Sequence, residues 1–184
     1  LTAMYQEYGV VPSPKIAGLM AGAILSDTVM FKSPTTTPRD RKMAERLAKI
    51  AGLRLDALGQ EVFSAGMGEK DAAALIGSDF KEFHLADHRI GIGQITTMDS
   101  FSLIQRKEEL MKEMASIQEK KGYDMVLLMI TDVLKEGTEL LFQGEQEVIR
   151  QAFNLTKMED HQVFLKGIMS RKKQMVPALA ILWG

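Results

Sequence analysis

Ser170-Arg171-Lys172-Lys173-Gln174 places three consecutive cations between two apolar, strand-like runs, Val163 to Ser170 and Gln174 to Leu179. Adjacent cations at the end of a buried strand repel one another, and an anion there would relieve that repulsion. Arginine offers a planar fork for two phosphate oxygens, and lysine a point charge. In a regular strand Arg171 and Lys172 would point to opposite faces, so for both to touch one ligand the strand must end or bulge here. The plain alternative is a basic turn in solvent.

Asp27 is the second candidate. A helix is expected from Lys15 to about Met30, with Ile16, Leu19, Met20, Ala23 and Ile24 as its apolar face. Asp27 follows Met20 by seven residues and Ile24 by three, which puts it on that face. An ionised carboxylate there needs compensation. A divalent cation would supply it, with Asp27 as a hard oxygen ligand. Backbone donors near the helix end, or Lys32, would serve as well. Lys81, in Asp79-Phe80-Lys81-Glu82-Phe83, is the third candidate, just ahead of an alternating strand. A lone lysine in such a place is usually a solvated surface residue. His84 and His88 flank a strand and turn rather than a helical turn, so both read as surface residues, and His161 as a loop residue. Gly91-Ile92-Gly93 lacks the third glycine of a dinucleotide loop, and the methionines fall at core spacing.

Composition narrows the classes. The 184 residues suffice for one domain or two small ones. A net charge of -1 gives no general electrostatic case for nucleic acid or an anionic membrane. Hydrophobic residues at 46% argue against disorder. No apolar run approaches a membrane span. Cysteine is absent, which excludes disulfides and thiolate metal sites.

The elements that must position these residues follow from pattern. Residues 10–14 read as a loop, because Pro12 and Pro14 deny regular structure. Thr37, Pro38 and Asp40 open a helix that runs to Ala51 and stops at Gly52. A further helix runs from Arg54 or Asp56 to about Ala65, and Gly66-Met67-Gly68 marks a boundary or hinge. Beyond it a short helix spans Ala72 to Ile76. Glu82 to Leu85 and Arg89 to Thr97 pair as strands. Phe101 to Lys121 reads as the longest helix. Met125 to Ile130 is a central buried strand, followed by a strand at Glu139 to Phe142 and a helix at Glu145 to Phe153. The fold class is α/β, a mixed sheet with flanking helices.

Three stretches carry a resemblance: IAGLMAGAILSDTVMFKSPTTTPRD at 16–40, GSDFKEFHL with IGIGQITTMD at 77–99, and GIMSRKKQMVPAL at 167–179. In this order and at about this spacing they resemble the C-terminal portion of a family II, manganese- or cobalt-dependent inorganic pyrophosphatase of the DHH phosphoesterase superfamily. The resemblance covers essentially the whole chain. It implies that residues 1–66 are the truncated helical end of the N-terminal DHH catalytic domain. Residues 67–184 would be the DHH-associated C-terminal domain that closes over substrate, hinged between Gly66 and about Asp71. It places the family's last metal-ligand aspartate on Asp27, its substrate lysine on Lys81 and its arginine-lysine pair on Arg171 and Lys172.

The family's His-x-Asp-x-Asp and Asp-His-His motifs do not occur in these 184 residues. By this comparison the cofactor is Mn2+ or Co2+, with Mg2+ as a third option, and most of its ligands belong to the missing N-terminal part. The chain is then expected to be a fragment that contains no catalytic residue of its own and binds phosphate or pyrophosphate without turnover. Its partners would be pyrophosphate or phosphate and the N-terminal DHH domain of the same parent, itself a cytoplasmic homodimer, with no role for nucleic acid or membrane. A related DHH-type exopolyphosphatase and a non-catalytic anion- or protein-binding module are the competing readings.

Overall fold

A computed structural model describes residues 2–64 and 70–183, apart from the side chain of Gln6. The chain divides into two compact units, 1–65 and 66–184. The expected hinge at Gly66-Met67-Gly68 lies outside the described residues.

The first unit is helical: α1 (Thr2–Glu7), α2 (Pro14–Asp27), α3 (Pro38–Ala51) and α4 (Leu55–Ser64). Helix α3 has the expected ends. Thr37 and Asp40 bond reciprocally as a capping box, and Gly52 closes the helix in the left-handed conformation at φ 68°. Helix α2 differs from expectation. Its buried face is Ala17, Met20, Ala21 and Leu25, whereas Ile16, Leu19 and Ala23 are exposed. The small residues Ala17 and Ala21 let α2 pack closely against Leu47 of α3, so side-chain size rather than hydrophobicity selects the face. Helix α2 also stops at Asp27, short of Met30. Val29, Met30 and Phe31 follow at φ 50°, 53° and 65°, a left-handed turn built without glycine. Thr28 holds it in place. Its hydroxyl donates to the Ile24 carbonyl at 2.7 Å and accepts from the Phe31 amide at 3.2 Å, while its carbonyl accepts from the Ser33 amide.

The second unit is a five-stranded mixed sheet in the order β1-β2-β3-β4-β5. The strands are β1 (Phe80–Leu85), β2 (His88–Thr97), β3 (Met125–Asp132), β4 (Gly137–Gln143) and β5 (Gln162–Lys166). Only β2 and β3 pair in parallel; the other neighbours are antiparallel. Every residue of β3 is buried. Its Val126, Leu128 and Ile130 face α5 (Ala72–Gly77) and α7 (Lys107–Lys121), through Leu75, Ile76, Leu110 and Met114. Its Met125, Leu127 and Met129 face α8 (Gln146–Ala152) and α9 (Val176–Trp183), through Ile149 and Leu179. A strand covered by helices on both faces needs an unbroken apolar run.

Two expectations are corrected here. The helix read from Phe101 to Lys121 is two helices, α6 (Ser100–Ile104) and α7. Arg106 leaves helical geometry at φ -97°, ψ 16°, with its guanidinium held by Glu109 and the Lys70 carbonyl. The run from Gln174 to Leu179 is not strand-like either. It forms a π-helical turn, Arg171–Met175, that leads into α9, because Met175 and Leu179 at helical spacing bury on the sheet.

Candidate functional site

The basic cluster is presented by a loop that its own residues brace. Strand β5 ends at Lys166, Gly167 turns the chain at φ 79°, and Ser170 returns to extended geometry at φ -124°, ψ 115°. The π-helical turn follows, with the Met175 and Gln174 amides both donating to the Ser170 carbonyl at 3.1 and 3.0 Å. Such turns recur at functional sites. Ser170 caps it by accepting from the Lys173 amide. Gln174 ties both ends of the loop: its Oε1 accepts from the Met169 and Ser170 amides at 2.9 and 3.0 Å, and its Nε2 donates to the Gly167 carbonyl at 2.8 Å. The strand does end before the cluster, as a shared ligand for Arg171 and Lys172 requires.

Arg171 is not part of a solvated turn. It is only 6% exposed. Its Nη1 donates to the carbonyls of Asp79 and Ile92 at 2.6 and 3.0 Å, and its Nη2 to Asp79 Oδ1 at 2.7 Å. The guanidinium fork therefore ties the π-helical turn to the start of β1 and the middle of β2. Breaking such a buried, charge-assisted set strands two carbonyls and costs about 3 kcal/mol. Lys172, the next residue, is exposed.

The sheet supplies the facing wall. Lys81 pairs with Ile92 across β1 and β2. Lys81 and Phe83 are two apart in β1 and share a face. Gln94 shares the Ile92 face of β2 by the same alternation, and its Nε2 donates to Thr131 Oγ1 at 3.1 Å and to the Met169 carbonyl at 3.2 Å. Phe80 turns the other way and lies over Gly91, where an added Cβ would stand 2.2 Å from the ring. The result is an open pocket of about 330 Å³ lined by Lys81, Phe83, Gln94, Ser170, Arg171 and Lys172. Three cations sequence-distant by some ninety residues (Lys81 from Arg171 and Lys172) meet around one space. Asp79 Oδ1 lies 4.0 Å from Lys81 Nζ, so one carboxylate serves both Lys81 and Arg171. Chemically the lining offers two lysine point charges, an oriented arginine and an amide, groups that suit a compact polyanion.

Two lining or bracing residues carried no weight in the sequence reading. Gln94 is a polar residue at an inward position of an apolar strand, which is a usable signal. Asp79 has no such mark, since its partner lies 92 residues away.

Asp27 belongs to the first unit, where the structure corrects the argument made for it. The residue is exposed at the end of α2, because the buried face runs through Ala17, Ala21 and Leu25 instead. Burial therefore makes no demand for a cation. Among the described residues, no group of three or more His, Asp or Glu side chains could hold a metal ion. One exposed carboxylate does not meet the coordination needs of a transition metal, so these residues do not by themselves form a metal centre.

The histidines have local partners. His84 lies 3.4 Å from Glu82, and His88 stacks on Trp183 with centroids 4.5 Å apart. His161 is half-buried, with Nδ1 3.0 Å from the Phe142 carbonyl. The buried carboxylate of Asp132 accepts from the amides of Ser100, Leu134 and Lys135 at 3.0, 2.9 and 3.0 Å. Burial raises its pKa, but the hydrogen bonds from Lys135, Ser100 and Leu134 outweigh burial and hold it below the ordinary value.

Comparison with known proteins shows what the chain is similar to. The DHHA2 domain model matches residues 60–181. A Methanocaldococcus jannaschii protein named manganese-dependent inorganic pyrophosphatase is 43% identical over 169 residues, which are 90% of this chain and 55% of the relative. A Clostridium perfringens protein named cobalt-dependent inorganic pyrophosphatase is 41% identical over 94% of this chain and 32% of the relative. The crystal structure of a Methanococcus jannaschii protein described as a family II inorganic pyrophosphatase aligns with a TM-score of 0.81 at 41% identity, over 94% of this chain and 57% of that one. The chain thus spans little more than half the length of the manganese-dependent relative. On the domain match across two thirds of its residues, this chain belongs to the DHHA2 domain family.

Proposed function

We propose that this chain is the substrate-binding part of a metal-dependent inorganic pyrophosphatase, and that Lys81, Arg171 and Lys172 hold the phosphate oxygens. The supporting observation is the single pocket that gathers these three cations around about 330 Å³. Pyrophosphate is compact and densely charged, and its hydrolysis depends mainly on positioning and charge neutralisation. The relatives' names, manganese- and cobalt-dependent inorganic pyrophosphatase, point to Mn2+ or Co2+ as the metal of the parent. Asp27 would contribute one oxygen ligand to a site whose other ligands come from outside these residues. On this reading residues 1–66 belong to the DHH catalytic domain, residues 67–184 form the substrate-binding domain, and the chain alone binds anion without hydrolysing it.

The test is calorimetric titration of the 184-residue chain with pyrophosphate, with and without manganese, beside a phosphate-release assay. Binding that weakens about tenfold or more in Lys172→Ala, with no phosphate released, is the expected result. Metal-dependent release by the purified chain would overturn the fragment claim, and binding indifferent to Lys172 and Lys81 would overturn the pocket assignment.

A further inference from the structure

Asp79 has the position of a stand-in ligand. Its Oδ1 lies 2.7 Å from Arg171 Nη2 and 4.0 Å from Lys81 Nζ. Both cations line the pocket, and the carboxylate is 49% exposed where the guanidinium it binds is 6% exposed. Asp79 is not among the pocket-lining residues, so a phosphate oxygen paired with both cations from the pocket would share that cationic pair with this carboxylate. Two anions sharing it would repel each other strongly at that range. Arg171 does not depend on the Asp79 charge for its placement, because its Nη1 is also held by two main-chain carbonyls, those of Asp79 and Ile92.

We propose that Asp79 is a resident counter-ion that competes with the phosphate anion for Arg171 and Lys81, and so sets the affinity of the pocket. The inference rests on the anion-binding reading above and adds to it a residue that opposes binding. It makes Asp79 a tuning residue rather than a ligand. While the pocket is empty, the carboxylate neutralises the cations. When an anion enters, it meets the repulsion of that carboxylate, which lowers affinity and eases release of a bound phosphate.

The experiment compares the unmodified chain with Asp79→Asn, which keeps an oxygen acceptor for Arg171 and removes the charge. Asp79→Ser serves as a second variant should the first fail to fold, with thermal melts confirming the fold of each. Pyrophosphate and inorganic phosphate are titrated separately by calorimetry, and Lys172→Ala runs in parallel. The expected result is binding about tenfold tighter in both Asp79 variants. Loss of a purely structural hydrogen bond would not produce a gain of this kind. Unchanged or weaker binding in folded variants would overturn the counter-ion role. If the unmodified chain binds and Lys172→Ala does not, that result would leave the pocket reading standing. If neither the unmodified chain nor the Asp79 variants bind, both fall together.

Discussion

Arg171 and Lys172 are neighbours in sequence with opposite physical situations. Lys172 is exposed, and replacing it by alanine should change stability by less than about 0.5 kcal/mol while weakening anion binding about tenfold or more. Arg171 is buried on three acceptors, so Arg171→Ala should lower unfolding free energy by about 3 kcal/mol as well as weaken binding. Urea melts beside anion titrations separate the two effects. Asp132 carries a different prediction. Its folded pKa lies below the ordinary 3.8, so it stabilises the second unit above that value and loses the contribution as pH falls past 3.8 through the depressed folded value. Asp132→Asn should cost about 2 kcal/mol at neutral pH and blunt the acid sensitivity of urea melts, because all three amide donors lose a charged acceptor and at least one is left facing an NH2 group. At this scale the cationic residues were legible as charge in an apolar setting. Burial of Arg171 was not, because its acceptors come from Asp79, just ahead of β1, and from Ile92 of β2, which no local pattern brings to residue 171.

At the scale of elements, two bracing residues govern placement of the candidate side chains. Gln174 holds the loop before the π-helical turn by three hydrogen bonds. Gln174→Ala should destabilise by about 2 kcal/mol and weaken pyrophosphate binding severalfold, since Ser170 to Lys172 lose their frame. Thermal melts and calorimetry on the same sample read both. Thr28 has the same office after α2. Thr28→Val keeps the volume and removes the hydroxyl that bonds Ile24 and Phe31, and should cost about 1–2 kcal/mol by the same melts. Helix ends were the most legible features, because the Thr37 cap and the Gly52 stop are local chemistry. Strand β3 was legible from its apolar run. The break at Arg106, the left-handed turn at Val29 to Phe31 and the π-helical turn were not, since each is held by contacts across the fold or by a hydrogen-bond geometry that side-chain periodicity does not report.

At the scale of the molecule, near-neutral net charge and a locally cationic pocket coexist, because the cations of the second unit converge while its carboxylates scatter into ion pairs such as Glu147–Arg150 and Glu109–Arg106. The mixed sheet makes convergence possible. Parallel pairing of β2 and β3 demands a helical crossover, and although β5 lies at the edge opposite β1, residues 167–170 run back past Thr138 of β4 and Gln94 of β2 and set the basic turn beside Asp79. Amide chemical-shift mapping of the labelled chain during titration with pyrophosphate tests the central claim most directly. The account predicts that the largest shifts cluster at Lys81, Gln94 and Ser170 to Lys173. Saturable shifts centred elsewhere, for instance on the β5 edge near Phe164, with those residues unmoved, would contradict it.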